Sequence, residues 1–139
     1  MRRKGLTLNE LMIVVLIVSV TAGLAIPSYL KSTEKVKGDG ALGALRLLRA
    51  AEKVYYFDNG SQYKNLDGAP DPLVTEGYVQ DPNGDLGRAF NYSVVSNNAA
   101  TPPQFLGTAT RRSGCNNGET ITLNDLGSTG GTWTLPCGP

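Results

Sequence analysis

From Leu11 to Leu30 the chain carries no Asp, Glu, Lys or Arg. As an α-helix rising about 1.5 Å per residue, this run measures roughly 30 Å, the thickness of a bilayer's hydrocarbon core. Arg2, Arg3 and Lys4 precede it and Lys31 closes it. A basic flank of this kind stays cytoplasmic by the positive-inside tendency, which sends everything after Lys31 to the far side. Glu10 is the single charged side chain between Lys4 and Lys31. A carboxylate at full membrane depth costs about 2.5 to 3.5 kcal/mol, and less near the interface, so Glu10 at the mouth of the run is a candidate for function.

Beyond Lys31 the pattern changes. Glu34, Lys35, Lys37 and Asp39 make a polar turn or two, and then apolar residues recur at Ala41, Ala44, Leu45, Leu48, Ala51 and Tyr55. That spacing is helical and predicts one stripe facing a core, with Arg46, Arg49, Glu52 and Lys53 largely on the other side. Gly38, Gly40 and Gly43 each weaken this helix by up to about 1 kcal/mol, and they allow close approach of another backbone. Asn59-Gly60 is a turn signal that ends it. Unbroken from Leu6 to Phe57, the helix would be roughly 75 to 80 Å long. Pro27 lacks an N–H and crowds the preceding turn, where Gly23 lies, so the pair predicts a kink or a local opening.

From Ser61 to Ala89 prolines and Asp-Gly, Asn-Gly and Leu-Gly pairs predict a loop-rich connection anchored by Tyr63, Leu66, Leu73, Tyr78 and Val79. Within it, Asp81-Pro82-Asn83-Gly84-Asp85 has a fragment of calcium-loop spacing. Leu86 and Tyr92 stand where such a loop needs Gly and Glu, which favours a surface turn. The last third holds four runs of strand character, Phe90–Val95, Phe105–Thr110, Thr120–Leu123 and Thr132–Leu135. They predict an antiparallel meander whose apolar face packs on Ala41, Leu45, Leu48 and Tyr55. The fold class is therefore α+β, a long N-terminal helix on a small C-terminal antiparallel sheet of about four strands.

Cys115 and Cys137 fall on the exported side and bracket the last strands. Paired, they would remove about 3 kcal/mol of unfolded-state entropy; the alternative is two free thiols. The 139 residues include no histidine, which excludes His-based acid/base catalysis, and two cysteines without histidine argue against zinc. Neither a serine nucleophile elbow nor a Gly-rich phosphate loop is present, no Asp/Glu pair is singled out for glycoside hydrolysis, and no cofactor is implied. The formal charge is +1. Without Arg2, Arg3 and Lys4 the basic residues fall from 13 to 10 against 12 acids, a sum of −2, so bulk charge does not support nucleic-acid binding. Arg111-Arg112 is a local basic spot, read as a solvated turn.

Arg3-Lys4-Gly5-Leu6-Thr7-Leu8-Asn9-Glu10-Leu11-Met12-Ile13-Val14-Val15, followed by Ala25-Ile26-Pro27-Ser28-Tyr29, resembles the class III signal and N-terminal helix of type IV pilins. Gly5 matches the end of the leader, Leu6 the residue that becomes the methylated N-terminus, Glu10 the fifth mature residue and Pro27 the membrane-segment proline. Leu6 stands where Phe is usual, and Asn9 where an apolar residue is common. The resemblance implies leader residues 1–5, a transmembrane and filament-core helix at 6–30, and a globular domain at 31–139. That domain divides into helix to about 57, connection over 58–89 and sheet over 90–139. It implies cleavage between Gly5 and Leu6 by a prepilin peptidase, N-methylation of Leu6, and Glu10 pairing with the freed amine of a neighbouring copy. It further implies local unwinding at Gly23 and Pro27, and a Cys115–Cys137 disulfide closing the C-terminus.

The implied role is polymerisation rather than catalysis. The precursor would sit in lipid at a bacterial inner membrane and, through an inner-membrane assembly platform, join an extracellular homopolymeric filament. Adhesion, twitching motility and DNA uptake are family possibilities. A type II secretion pseudopilin or minor pilin is the nearest alternative, since Gly77-Tyr78-Val79-Gln80-Asp81-Pro82 is also similar to that group. A plain single-pass anchor and a soluble domain released by an ordinary signal peptide after Ala22 are the other readings.

Overall fold

In a computed structural model, residues 7–67, 71–114 and 116–134 are described. Helix α1 spans Leu8–Asp58 and a short α2 spans Pro72–Thr75. The strands are β1 Phe90–Asn97, β2 Gln104–Arg111, β3 Thr120–Asn124 and β4 Thr129–Gly131. They form one sheet in the order β1-β2-β3-β4 with every neighbour antiparallel. The fold is thus the expected α+β arrangement.

Alternation decides which face of the sheet is buried. Phe90 and Val94 of β1, Phe105 and Ala109 of β2, and Ile121 and Leu123 of β3 all point at α1, where they meet Ala41, Leu45 and Leu48. Register holds the set together, with Val94 opposite Gly107 and Ala109 opposite Ile121. Gly107 lacks a side chain where Leu45 approaches: a Cβ there would lie 3.3 Å from the Leu45 methyl carbon Cδ2. The helix ends as its Asn-Gly signal requires. The Asn59 N–H bonds the Tyr55 carbonyl, and Gly60 takes a left-handed φ of 67°.

Several expectations change. The fourth strand lies at Thr129–Gly131 rather than Thr132–Leu135. A tight turn sets this register: the Ser128 N–H bonds Asn124 Oδ1 at 2.8 Å, and Gly127 takes a φ of 91°. Thr132 to Thr134 lie beyond β4, although the Trp133 N–H still bonds the Thr120 carbonyl at 2.9 Å, and Leu135 lies outside the described residues. The connection is not all loop, since Asp71 caps the N-terminus of α2 by accepting from Leu73 N–H at 2.9 Å. It also extends the sheet, because Leu66 and Val94 exchange two backbone hydrogen bonds of 2.9 Å at the β1 edge. Tyr55 is only half-buried and stacks edge-on against Tyr78 instead of entering the sheet core.

The charged side of the helix is also redrawn. Arg46 and Lys53 are exposed, but Glu52 is completely buried, because it follows Leu48 by four residues on the same stripe. Arg49 is half-buried, its Nε donating to the Asp125 carbonyl at 3.0 Å. The close approach at the glycines comes from a side chain, not a backbone. A Cβ on Gly38 would meet the Trp133 indole at 2.9 Å, whereas Gly40 and Gly43 face open space.

Candidate membrane-anchoring and assembly surface

Among the described residues nothing covers α1 from Leu8 to Leu30, where every position is exposed. Leu11, Met12, Ile13, Val14 and Val15 are consecutive, so they point around the whole circumference, and each is more than half exposed. A helix apolar on all sides and covered by nothing suits a lipid or a protein environment outside its own domain. Its length and composition suffice to cross a membrane.

Two hydroxyls inside this rod satisfy themselves. Ser19 Oγ donates to the Val15 carbonyl at 2.7 Å, and Thr21 Oγ1 donates to the Ile17 carbonyl at 2.9 Å. Each hydroxyl therefore enters an apolar setting with its proton already used. At the mouth, Thr7 is the N-cap of α1 and Glu10 completes a reciprocal capping box. Glu10 Oε2 accepts from Thr7 N–H and from Thr7 Oγ1, both at 2.8 Å, and the Glu10 N–H returns a 3.3 Å bond to Thr7 Oγ1. The lone acid is thus held by Thr7. The Thr-x-x-Glu spacing was readable in the sequence as a helix-start signal, and Thr7 is the residue that motif adds to the site.

Helical structure continues through Gly23 and Pro27 without interruption. Pro27 offers no N–H to the Gly23 carbonyl four residues earlier, so one rung of the ladder is missing there. A Cβ on Gly23 would meet nothing, which leaves this stretch free on every side. Gly5 and Leu6, the expected processing site, lie outside the described residues, as do Cys115 and Cys137.

Where the rod meets the domain, Glu34 joins it to the sheet. Glu34 Oε1 accepts from Lys37 Nζ at 2.6 Å and from Arg111 at 3.0 Å. Burial pushes the Glu34 carboxyl up, but the hydrogen bonds and charges of Lys37 and Arg111 outweigh it and hold the group below its ordinary value. Arg111 is therefore buried and paired rather than part of a solvated basic turn. Arg112 is exposed and donates to the Leu86 carbonyl at 3.0 Å.

Among the described residues no group of three or more His, Cys, Asp or Glu side chains is placed to hold a metal. The 81–85 stretch spends its oxygens on backbone. Asp81 accepts from Asn83 N–H, and the Asn83 side chain exchanges two hydrogen bonds with the Tyr92 backbone, of 2.8 and 2.9 Å.

The chain is 36% identical over 83 residues to the competence protein ComGC of Halalkalibacterium halodurans, a match covering 58% of this chain and 78% of that one. It is 33% identical over 79 residues to the type II secretion system core protein G of Pectobacterium carotovorum, covering 57% of this chain and half of that protein. A third similarity, 38% over 80 residues, is to the type IV major pilin protein PilA of Myxococcus xanthus, covering 55% of this chain and 36% of PilA. No family model and no solved structure matches.

Proposed function

We infer the function of this chain from the family to which it belongs, the type IV pilin-like proteins: it is a pilin-like structural subunit, and we propose that it polymerises into a type IV pilus. The observation that carries this reading is the uncovered apolar rod with a capped acid at its mouth, fused to a small domain. In the bilayer the rod is an anchor. Once the domain lies outside, the same rod can leave lipid only for an equally apolar setting, and identical rods supply one. Apolar exposure also continues along the outer face of α1 at Val36, Leu47, Val54 and Phe57, which extends the contact beyond the membrane segment.

In this proposal a prepilin peptidase cuts between Gly5 and Leu6. The new Leu6 amine, methylated or not, pairs with Glu10 of an adjacent copy. An unpaired charge in such a core costs several kcal/mol, so the pair selects one axial register. The Thr7 cap shields the carboxylate until that partner arrives. Gly23 and Pro27 form the stretch that opens as subunits leave the membrane, because the ladder already lacks a rung there. Cys115 and Cys137 close the C-terminal end as a disulfide. An inner-membrane platform drives assembly, and the finished fibre lies on the cell surface.

Mass spectrometry of the mature protein and electron microscopy of cell-surface fibres test this together. An N-terminus at Leu6 with long fibres is expected. Soluble protein starting after Ala22 overturns it. Glu10→Leu is expected to abolish fibres while the precursor still accumulates in the membrane, and fibres of normal yield and rise would remove the register role. The second reading, a type II secretion pseudopilin, has the similarity to core protein G in its favour. Processed protein without long surface fibres would select it.

A further inference from the structure

Contacts along α1 fix which end of the domain faces the rod. In order up the helix, Glu34 meets Arg111, Gly38 meets Trp133, Leu45 meets Gly107 and Arg49 meets Asp125. The sheet therefore runs beside the helix. The start of β1, the end of β2 and the loops joined to them lie at the end nearest residues 11–30.

At that end stands a group of side chains that polymerisation does not explain. Leu86 is 89% exposed. Arg112 is exposed beside it, donating to the Leu86 carbonyl at 3.0 Å and leaving the rest of its guanidinium to solvent. The Arg112 backbone N–H bonds the Ala89 carbonyl at 3.1 Å, which ties the two loops together. We propose that this end of the domain, with Leu86 and Arg112 foremost, rests on the phospholipid headgroups at the non-cytoplasmic face of the membrane while the subunit is anchored there.

The proposal rests on residues 11–30 spanning the bilayer, which sets the depth. Glu34 follows Leu30 by four residues, about 6 Å along the helix. The polar interface on each side of a bilayer is about 5 to 8 Å thick. Glu34 and Arg111 therefore stand at headgroup level, and Arg112 and Leu86 stand there with them. Tyr29, exposed at the end of the rod, marks the boundary as an interfacial aromatic.

Charge suits the same partner. Lys31, Lys35 and Arg112 are exposed, whereas the domain itself engages the acids at this end. Glu34 holds Lys37 and Arg111, Asp85 accepts from the Gly87 N–H at 2.8 Å, and Glu119 accepts from the Asn116 side chain and the Thr134 N–H. Ammonium and guanidinium groups bind lipid phosphate, and a leucine beside them enters the interface. One leucine next to an arginine offers too little apolar area for a protein partner.

The test uses the full chain in nanodiscs of phosphatidylethanolamine and phosphatidylglycerol, with spin labels on the lipid headgroups in one sample and on the acyl tails in another. Headgroup labels should relax the Leu86 and Arg112 amides strongly and the Gly127 amide, at the far end of the sheet, little. Leu86→Asp alters only an exposed side chain and should remove at least about half of the relaxation at Arg112. Arg112→Gln should do the same at Leu86. Relaxation unchanged by both variants, with tail labels still relaxing the Val18 amide, would overturn the docking and leave the membrane span standing. A Val18 amide untouched by tail labels would overturn the span and the docking with it.

Discussion

Glu34 on α1 and Arg111 at the end of β2, 77 residues apart, meet at 3.0 Å beside the point where the apolar rod enters the domain. Arg111 also donates to the Ala89 carbonyl at 2.9 Å and lies over the Phe90 ring, 5.4 Å from its centre. Removing the cation leaves Glu34 half-satisfied against Lys37 and uncovers Phe90. Arg111→Met is expected to cost about 2 to 4 kcal/mol of domain stability by denaturant titration. Glu34→Leu combined with Arg111→Met should recover part of that loss, because no buried charge is then left unpaired and Lys37, 38% exposed, keeps its water. A double variant less stable than the sum of the single losses would contradict this account.

Trp133 occupies the space a side chain at Gly38 would need, and it packs on Phe90 with ring centres 5.4 Å apart. Alanine is worth about 1 kcal/mol over glycine inside a helix, so Gly38, Gly40 and Gly43 should separate by context. Gly40→Ala and Gly43→Ala should each raise the melting temperature, since nothing lies near their Cβ positions. Gly38→Ala should give no gain and should shift the emission of the single tryptophan. An unshifted spectrum with full stabilisation would show that the indole does not sit there.

At the start of α1, Thr7 supplies both halves of the cap on Glu10. Thr7→Ala should cost about 1 kcal/mol of local helix stability and speed exchange at the Glu10 and Leu11 amides, with Thr7→Ser close to wild type. Equal exchange in all three proteins would mean that the cap contributes nothing to helix initiation.

Domain stability should also depend on pH, with contributions of opposite sign. The unfolded chain ionises Glu52 near 4.5 and the folded chain near 7. Over that interval the native state holds a proton that the unfolded state has released. The Glu52 contribution is therefore complete below about pH 4.5 and is lost as pH rises through about 7, amounting to roughly 2 to 3 kcal/mol. Glu34 behaves conversely: its folded value is depressed, so its contribution is present above its unfolded value and is lost in acid. Melting curves should show greatest stability in mildly acidic solution. Glu52→Gln should flatten the decline toward neutral pH while leaving the acid limb unchanged.

Much of this architecture follows from local order along the chain. Twenty uncharged residues report a rod of membrane length, a 3.6-residue period reports the stripe Ala41-Leu45-Leu48, and Asn59-Gly60 reports the helix end, because each depends only on neighbours in sequence. The capping box at Thr7 and Glu10 is of the same kind. By contrast, Glu52 and Arg111 read as surface charges until the connecting segment and β2 fold over them, and burial of a charge depends on what arrives from elsewhere. Gly38 and Trp133 are 95 positions apart and became partners only when β3–β4 turned early and placed the tryptophan just beyond β4, against the helix. Residue type and spacing determined the elements and the uncovered rod. Only the tertiary structure decided which polar groups lose their water, since desolvation is a property of the packed whole.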